Sequence, residues 1–236
     1  MFWKTVLCSA PAAFGLVFAI AAGFSPPAHA AEPPEGMVEL ELDLPEPSCD
    51  GWKPLPRDLF PHEGPPWEPR DPVYVPEGVE NVALDQPVSA SAEPTQNELA
   101  DVVNGKKGYK AENVVELPEE PQWIQIDLED IYEIHVILFW QFFESERVYF
   151  DVVVQVSNDP EFEESVTTVF NNDDDNTLGL GEGEDPEFIT QRKGKLVEVD
   201  GVEARYVRLW SNGNNWNDRN HWIEVEVYAK PVEGAS

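Results

Sequence analysis

Pro121-Gln122-Trp123-Ile124-Gln125-Ile126-Asp127-Leu128 is the stretch that decides the fold class. Ile124, Ile126 and Leu128 fall on one side of an extended chain, with Trp123, Gln125 and Asp127 on the other. Strict alternation of this kind marks a strand with one face against a core. Further short β-branched and aromatic runs follow, separated by turn residues: Glu133–Trp140, Val148–Ser157, Ser165–Phe170, Phe188–Thr190, Lys195–Val199, Ala204–Trp210 and Trp222–Tyr228. Val82–Ser91 opens the series. Asn97–Val103 predicts one short helix, ended by Asn104-Gly105 in the manner of a glycine-closed helix. Strands at this spacing, with almost no helical period, predict an all-β protein built as an antiparallel sandwich or barrel.

The residues before this domain are of two other kinds. Residues 1–30 carry Lys4, an apolar run from Val6 to Phe24, and Ala28-His29-Ala30 as a small-residue cleavage site. That pattern predicts a signal peptide that is removed, leaving no stable membrane span. Residues 31–78 hold twelve prolines among many acids, a composition that favours polyproline II and builds no core alone. Within it, Met37-Val38-Glu39-Leu40-Glu41-Leu42-Asp43-Leu44 alternates with period two and predicts a half-buried strand. The extension is therefore expected to wrap partly around the domain at 79–231, with 232–236 as a tail. Cys8 leaves with the leader, so Cys49 remains as a free thiol or an intermolecular bridge.

Charge restricts the partners. The chain carries 46 acidic and 15 basic residues, a formal net charge of −31. Such a field opposes nucleic acid, anionic lipid and polyanionic polysaccharide. It leaves neutral glycans, basic proteins and multivalent cations, and it also keeps an exported protein soluble.

Five segments, in order, carry a resemblance. Asn81-Val82-Ala83-Leu84 with Pro87-Val88-Ser89-Ala90-Ser91 resembles the opening strand of the discoidin family, the coagulation-factor type C domain of the galactose-binding-like superfamily. Pro121–Leu128 is similar to that family's most recognisable strand, and Val154-Gln155-Val156-Ser157-Asn158-Asp159 to its strand entering an acidic turn. Ala204–Leu209 and Ile223–Tyr228 resemble its last two core strands. Together they cover roughly 79 to 231. The resemblance implies an eight-stranded jelly-roll β-sandwich whose loops at one end bind sugars, lipid head groups or proteins. It also implies a structural calcium near the first loop, with Asn104 and the acid Glu224 as ligands. Two lysines, Lys106 and Lys107, stand in that loop where acids are expected. The terminal disulfide common in animal members is missing, since Cys49 lies outside the domain.

Two loops hold the candidate ligand-binding residues. The turn after the third strand reads Trp140-Gln141-Phe142-Phe143-Glu144-Ser145-Glu146-Arg147. Aromatic rings there offer faces to sugar CH groups, and Gln141 and Arg147 offer donors to hydroxyls. In sugar-binding relatives the resemblance places a histidine and an arginine on this turn; Arg147 keeps one of the two, and Gln141 or Phe143 stands for the other. Trp140 and Phe142 also read as core residues. The second loop, Ser211–His221, is polar throughout except for Trp216, so Asn215, Trp216 and His221 are candidates, against a plain reading of Asn and Gly as turn formers. A third stretch, Asn171–Thr177, spaces Asp173 and Asp175 as hard cations prefer, although a solvated acidic loop has the same composition.

Catalytic patterns are thin: His62, His135 and His221 form no metal-ligand pair, and no nucleophile, phosphate-loop or zinc motif occurs. The expectation is an exported binding module, secreted, periplasmic or at the cell surface, that recognises a neutral carbohydrate without catalysis. A cell-surface adhesion or assembly protein with a protein partner is the other open reading. A polysaccharide lyase would need basic residues to hold uronates, and these are few.

Overall fold

The computed structural model describes residues 33–45, 70–144 and 147–232. The leader, Cys49, the remainder of the proline-rich stretch, Ser145, Glu146 and the last four residues lie outside them. Ten strands run through the described residues: β1 (Met37–Glu39), β2 (Tyr74–Pro76), β3 (Glu80–Asn81), β4 (Val88–Ala90), β5 (Val115–Glu119), β6 (Gln122–Gln141), β7 (Val153–Ser157), β8 (Thr167–Asn171), β9 (Lys195–Ser211) and β10 (Arg219–Pro231). All pairings are antiparallel. The protein is an all-β jelly-roll sandwich. Among the described residues no helix is long and apolar enough to cross a membrane.

β6 and β9 are the spine. Four stretches read separately in the sequence, Gln122–Leu128 with Glu133–Trp140 and Lys195–Val199 with Ala204–Trp210, are two continuous strands paired along their length. Register shifts between Asp127 and Tyr132, and between Ile134 and Val136, let this ribbon turn from one layer into the other. Glu129 and Gly201 take φ of 65° there, the irregular backbone that bends strands at sandwich corners. The first half of β6 pairs with β4, its second half with β10, and β10 with β3 and β5.

Burial explains the difference between the halves of β6. In the first, Ile124, Ile126 and Leu128 enter the main core while Trp123 and Asp127 stay half-buried on the outer face. The second half is apolar on both faces, as a near-continuous run must be. Ile134, Ile137 and Phe139 join the main core, whereas Val136, Leu138 and Trp140 form a second cluster with Val114, Ile223 and Tyr228. Val73 and Val75 complete that cluster, and Leu40, Leu42 and Leu44 pack on it. Only Met37–Glu39 of the alternating segment is a strand, paired with Tyr74–Pro76. Leu40 continues by donating its amide to Val73 O. Further ties come from Arg70, which donates to Lys193 O and Gly194 O, and from Arg192, which donates to Pro45 O.

Several local expectations need correction. The helix over 97–103 is a five-residue 3-10 turn, Leu99–Val103. Asn97, at φ 59°, is turned out of helical geometry and holds Ala111 O and Val114 O with its amide. Gly105 does close the turn, at φ 78°. Val148–Ser157 is a strand only from Val153, because Asp151 sits at φ 51°. Phe188–Thr190 is buried loop. β5 has no counterpart in the sequence reading, since Pro118 interrupts it; at a sheet edge a proline is tolerated.

Beneath the arm lies a buried ionic cluster. The Lys107 ammonium is 2.8 Å from Glu226, donates to Asp43 O at 2.6 Å and stands 5.5 Å over the Trp140 ring. Tyr228 donates its hydroxyl to Glu226. Glu224 accepts from the Gly105 amide at 2.9 Å, and its other oxygen is buried with no partner. Burial pushes Glu224 up to about 8. Asn104 and Glu224, the expected calcium ligands, stand on either side of the Gly105 amide, with the Asn104 side chain bound to Lys106 N and Asp101.

Two stability outcomes follow from this packing. Replacing Leu40, Leu42 and Leu44 together by Ser should cost roughly 2–4 kcal/mol in urea denaturation, from three half-buried side chains; an unchanged midpoint would mean the arm adds nothing. Because Glu224 is protonated in the fold below about 8 but has an ordinary value of 4.5 when unfolded, its contribution is complete below pH 4.5 and is lost as pH rises through 8. The stability of the native protein relative to Glu224→Gln should therefore fall by on the order of a few kcal/mol between pH 4.5 and pH 8.5. A constant difference between the two would refute the assignment.

Candidate functional site

The two candidate loops meet at one end of the sandwich because their backbones are stitched together. Tyr149 and Asn214 form an isolated bridge. Asn215 donates its amide to Val148 O while its side-chain oxygen accepts from Val148 N, both at 3.0 Å. Phe150 N reaches Gly213 O, and Asn212 N returns to Phe150 O. Gly213, at φ 70°, runs so close to Asp218 that a β-carbon would meet its backbone at 3.0 Å. Thr190 fastens the first loop from below: its amide and hydroxyl both donate to Arg147 O.

Amides of the second loop mostly bind the loop itself. Asn214 caps Trp216 N and Asn217 N and donates to Arg219 O. Asn220, fully buried, accepts from Gly213 N and Ser211 and donates to Pro118 O and Glu120 O. This scaffold leaves Trp216 as the large exposed side chain at the loop tip, at 63% exposure.

Behind Trp216 runs a polar chain. His221 lies between Tyr149 and Glu116, with Nδ1 2.9 Å from the Tyr149 hydroxyl and Nε2 3.2 Å from Glu116 Oε2. A carboxylate only accepts, so Nε2 carries the proton and Nδ1 receives the Tyr149 O–H. Burial first, then the charge of Arg147, lowers His221 to about 4, so the ring is neutral at physiological pH. Burial raises Glu116, but the hydrogen bond from Thr95, the charge of Arg219 and the hydrogen bond from His221 outweigh it and hold the carboxyl below its ordinary range. Arg219 meets Glu116 Oε1 at 2.8 Å. The Arg147 guanidinium stands 4.4 Å over the Phe142 ring and 6.0 Å from that of Trp216.

Of the residues expected from sequence, the structure thus brings Arg147, Asn215, Trp216 and His221 together. Three need correction. Trp140 is 1% exposed, with its Nε1 bound to Arg192 O, and Gln141 is equally enclosed. Strand β6 runs on through Gln141, so the turn begins later than the composition suggests. Phe143 turns toward Tyr109, 5.6 Å away edge to face, and packs on the second cluster; Phe142 takes the place beside Arg147. Glu116, Tyr149, Thr95 and Arg219 were not anticipated. Glu116 belongs to the unrecognised β5, and Tyr149 reads as an ordinary strand aromatic.

Asp173 and Asp175 gather a third acid, Asp151, with carboxylate oxygens all within 4.8 Å of one another. Burial, then the neighbouring acids against a bond from Asn212, raise Asp151. Asp173 also caps Thr177 N and Leu178 N. Asn171 turns its side chain to Asp173 N and Gly181 O and does not face outward as an oxygen donor.

No protein-family model and no curated protein matches the chain. Among solved structures it is similar to a family 89 glycoside hydrolase from Clostridium perfringens, at 20% identity and a TM-score of 0.49, over 64% of this chain and 15% of the hydrolase. It is also similar to the CBM32 of AlyQ in complex with 4,5-unsaturated mannuronic acid, at 19% identity and TM-score 0.46, over 61% of this chain and 95% of the module. A fucose-binding module of Streptococcus pneumoniae, SpX-3, gives 16% identity and TM-score 0.46, over 63% of this chain and 97% of that one. The chain thus spans about 15% of the hydrolase's length.

Proposed function

We propose that this is an exported, non-catalytic carbohydrate-binding protein whose site is the stitched loop end around Arg147, Trp216 and His221. The observation that carries the reading is Trp216, exposed on a loop held by the side chains of Asn214 and Asn220 and by its ties to Val148 and Phe150. A rigid, solvent-facing indole offers a flat face to sugar CH groups at little entropic cost. Arg147 stands beside it as a fixed donor, oriented by Phe142 and the His221 chain. His221 spends both nitrogens inside the protein, so it positions rather than contacts. The chain Tyr149–His221–Glu116 is a support for the loops: Tyr149 and His221 are buried, away from the face that Trp216 offers to solvent. The glycan has a largely uncharged body, because a net charge of −31 repels a polyanion.

A glycan array followed by titration tests this. Trp216→Ala should weaken retention of the best glycan roughly tenfold or more, about 1.4 kcal/mol, with an unchanged circular dichroism spectrum. Retention unaffected by the substitution would move the site elsewhere. Calcium is proposed at the Asp151, Asp173 and Asp175 group, as a structural ion. It should raise the melting temperature by about a few degrees relative to chelator, an increment lost in Asp151→Asn and kept in Glu224→Gln. A melting temperature indifferent to calcium would remove the ion from this account.

A further inference from the structure

Arg147 is out of keeping with its surroundings. In a chain of 46 acids and 15 bases, an arginine ordinarily finds a carboxylate or carbonyl. Arg205 pairs with Asp127 at 2.6 Å and Arg219 with Glu116 at 2.8 Å. Arg208 donates to Gln125 and Pro160 O, and Arg192 to Pro45 O. Among the described residues no carboxylate pairs with Arg147. Its polar side-chain contacts are neutral ones, His221 Nδ1 at 3.4 Å and the Tyr149 hydroxyl, and the His221 lone pair is already taken by Tyr149 at 2.9 Å. The Nε of Arg147 is buried with no partner, as are those of Arg70 and Arg192; what sets Arg147 apart is that, among the described residues, no carboxylate or carbonyl holds the rest of its fork. Its faces are covered by Phe142 and approached by Trp216, so the acceptors it lacks must approach in the guanidinium plane.

We propose that the group seated on Arg147 is a carboxylate, and that the ligand is a glycan with an uncharged body and one isolated acidic sugar. This rests on the carbohydrate reading above and narrows it. A guanidinium offers a rigid fork of parallel donors that matches a carboxylate in two-point contact, whereas a hydroxyl accepts at one point and leaves the charge unbalanced. The neutral His221 adds no second cation, and Arg219 is already matched by Glu116, so the site balances one negative charge. The acidity of the protein sets the upper limit. With a screening length of about 8 Å at physiological salt, one carboxylate in contact with Arg147 is attracted despite the distant acids. Neighbouring uronates along a polymer would meet the protein's acidic field, to which the exposed Glu144 and Asp218 of the same loops contribute, and be repelled.

The native protein should be titrated with lactose and sialyllactose, with an aldobiouronic acid and its methyl ester, and with polygalacturonate. Binding of at least one single-acid sugar, weakened roughly tenfold or more in its neutral counterpart and by raised salt, is the expected result. Which acid binds distinguishes a sialic from a uronic source. Arg147→Gln should bring acid and neutral forms to equal affinity, and Arg147→Lys should restore only part of the difference. The esterified sugar needs no variant, so a folding defect cannot mimic its result. Neutral sugars bound as tightly as acidic ones, or polygalacturonate bound best, would overturn the proposal and leave the carbohydrate reading standing. No retention of any glycan on the array would overturn both.

Discussion

The structure depends on one strand half with no polar face. From Ile134 to Trp140 the chain buries side chains on both sides of the sheet, and a sandwich supplies only one core. The outer face of this half must be covered by something outside the eight-stranded sheet. That requirement gives the proline-rich extension its role: it forms only the short β1–β2 pair as a sheet of its own, and its alternating leucines provide apolar cover. Covering the face also buries whatever polar groups share it, and Glu224 and Glu226 on β10 do. Lys107 then follows as the cation that Glu226 needs under a lid of leucines.

Much of the fold was legible because alternation reports burial directly. Trp123 to Leu128 reads as a one-faced strand, and Ile124, Ile126 and Leu128 do enter the core, while on the other face Gln125 is also buried, under Arg208 and Pro160. What alternation does not report is continuity. Two apolar runs separated by Glu129-Asp130-Ile131 look like two strands and a turn, whereas the ladder passes through a bend with a shifted register. Pro118 hid β5 for a similar reason: a proline breaks the sequence signal, but an edge position makes the break harmless. The short helix failed on the conformation of Asn97, which is a property of what its side chain holds and has no local signature.

The site was legible in a different degree. Groups whose chemistry is unusual for a loop, the exposed Trp216 and the half-buried Arg147, stand out in any reading. The choice between Phe142 and Phe143 does not, since both are aromatic and adjacent, and the register of the last residues of β6 decides it. Glu116 is a long-range partner, brought to His221 by β5–β10 pairing, so no spacing rule reaches it. Gln141 shows the opposite error: an amide in a loop composition suggested a ligand donor, and strand continuation buried it.

The acidity of the chain takes on a different meaning once individual pairings are known. As a total it opposes polyanionic ligands; as a map it shows that arginines are scarce and that, among the described residues, those other than Arg147 are bound to carboxylates or carbonyls. Net charge acts at a distance and through screened water, while a guanidinium acts at contact, where desolvation strengthens each hydrogen bond. The two act on different parts of a ligand. The field selects against repeated charge along a chain, and the unmatched fork selects for a single charge at one point. A protein with both features discriminates by charge density, which neither composition nor a single side chain specifies alone.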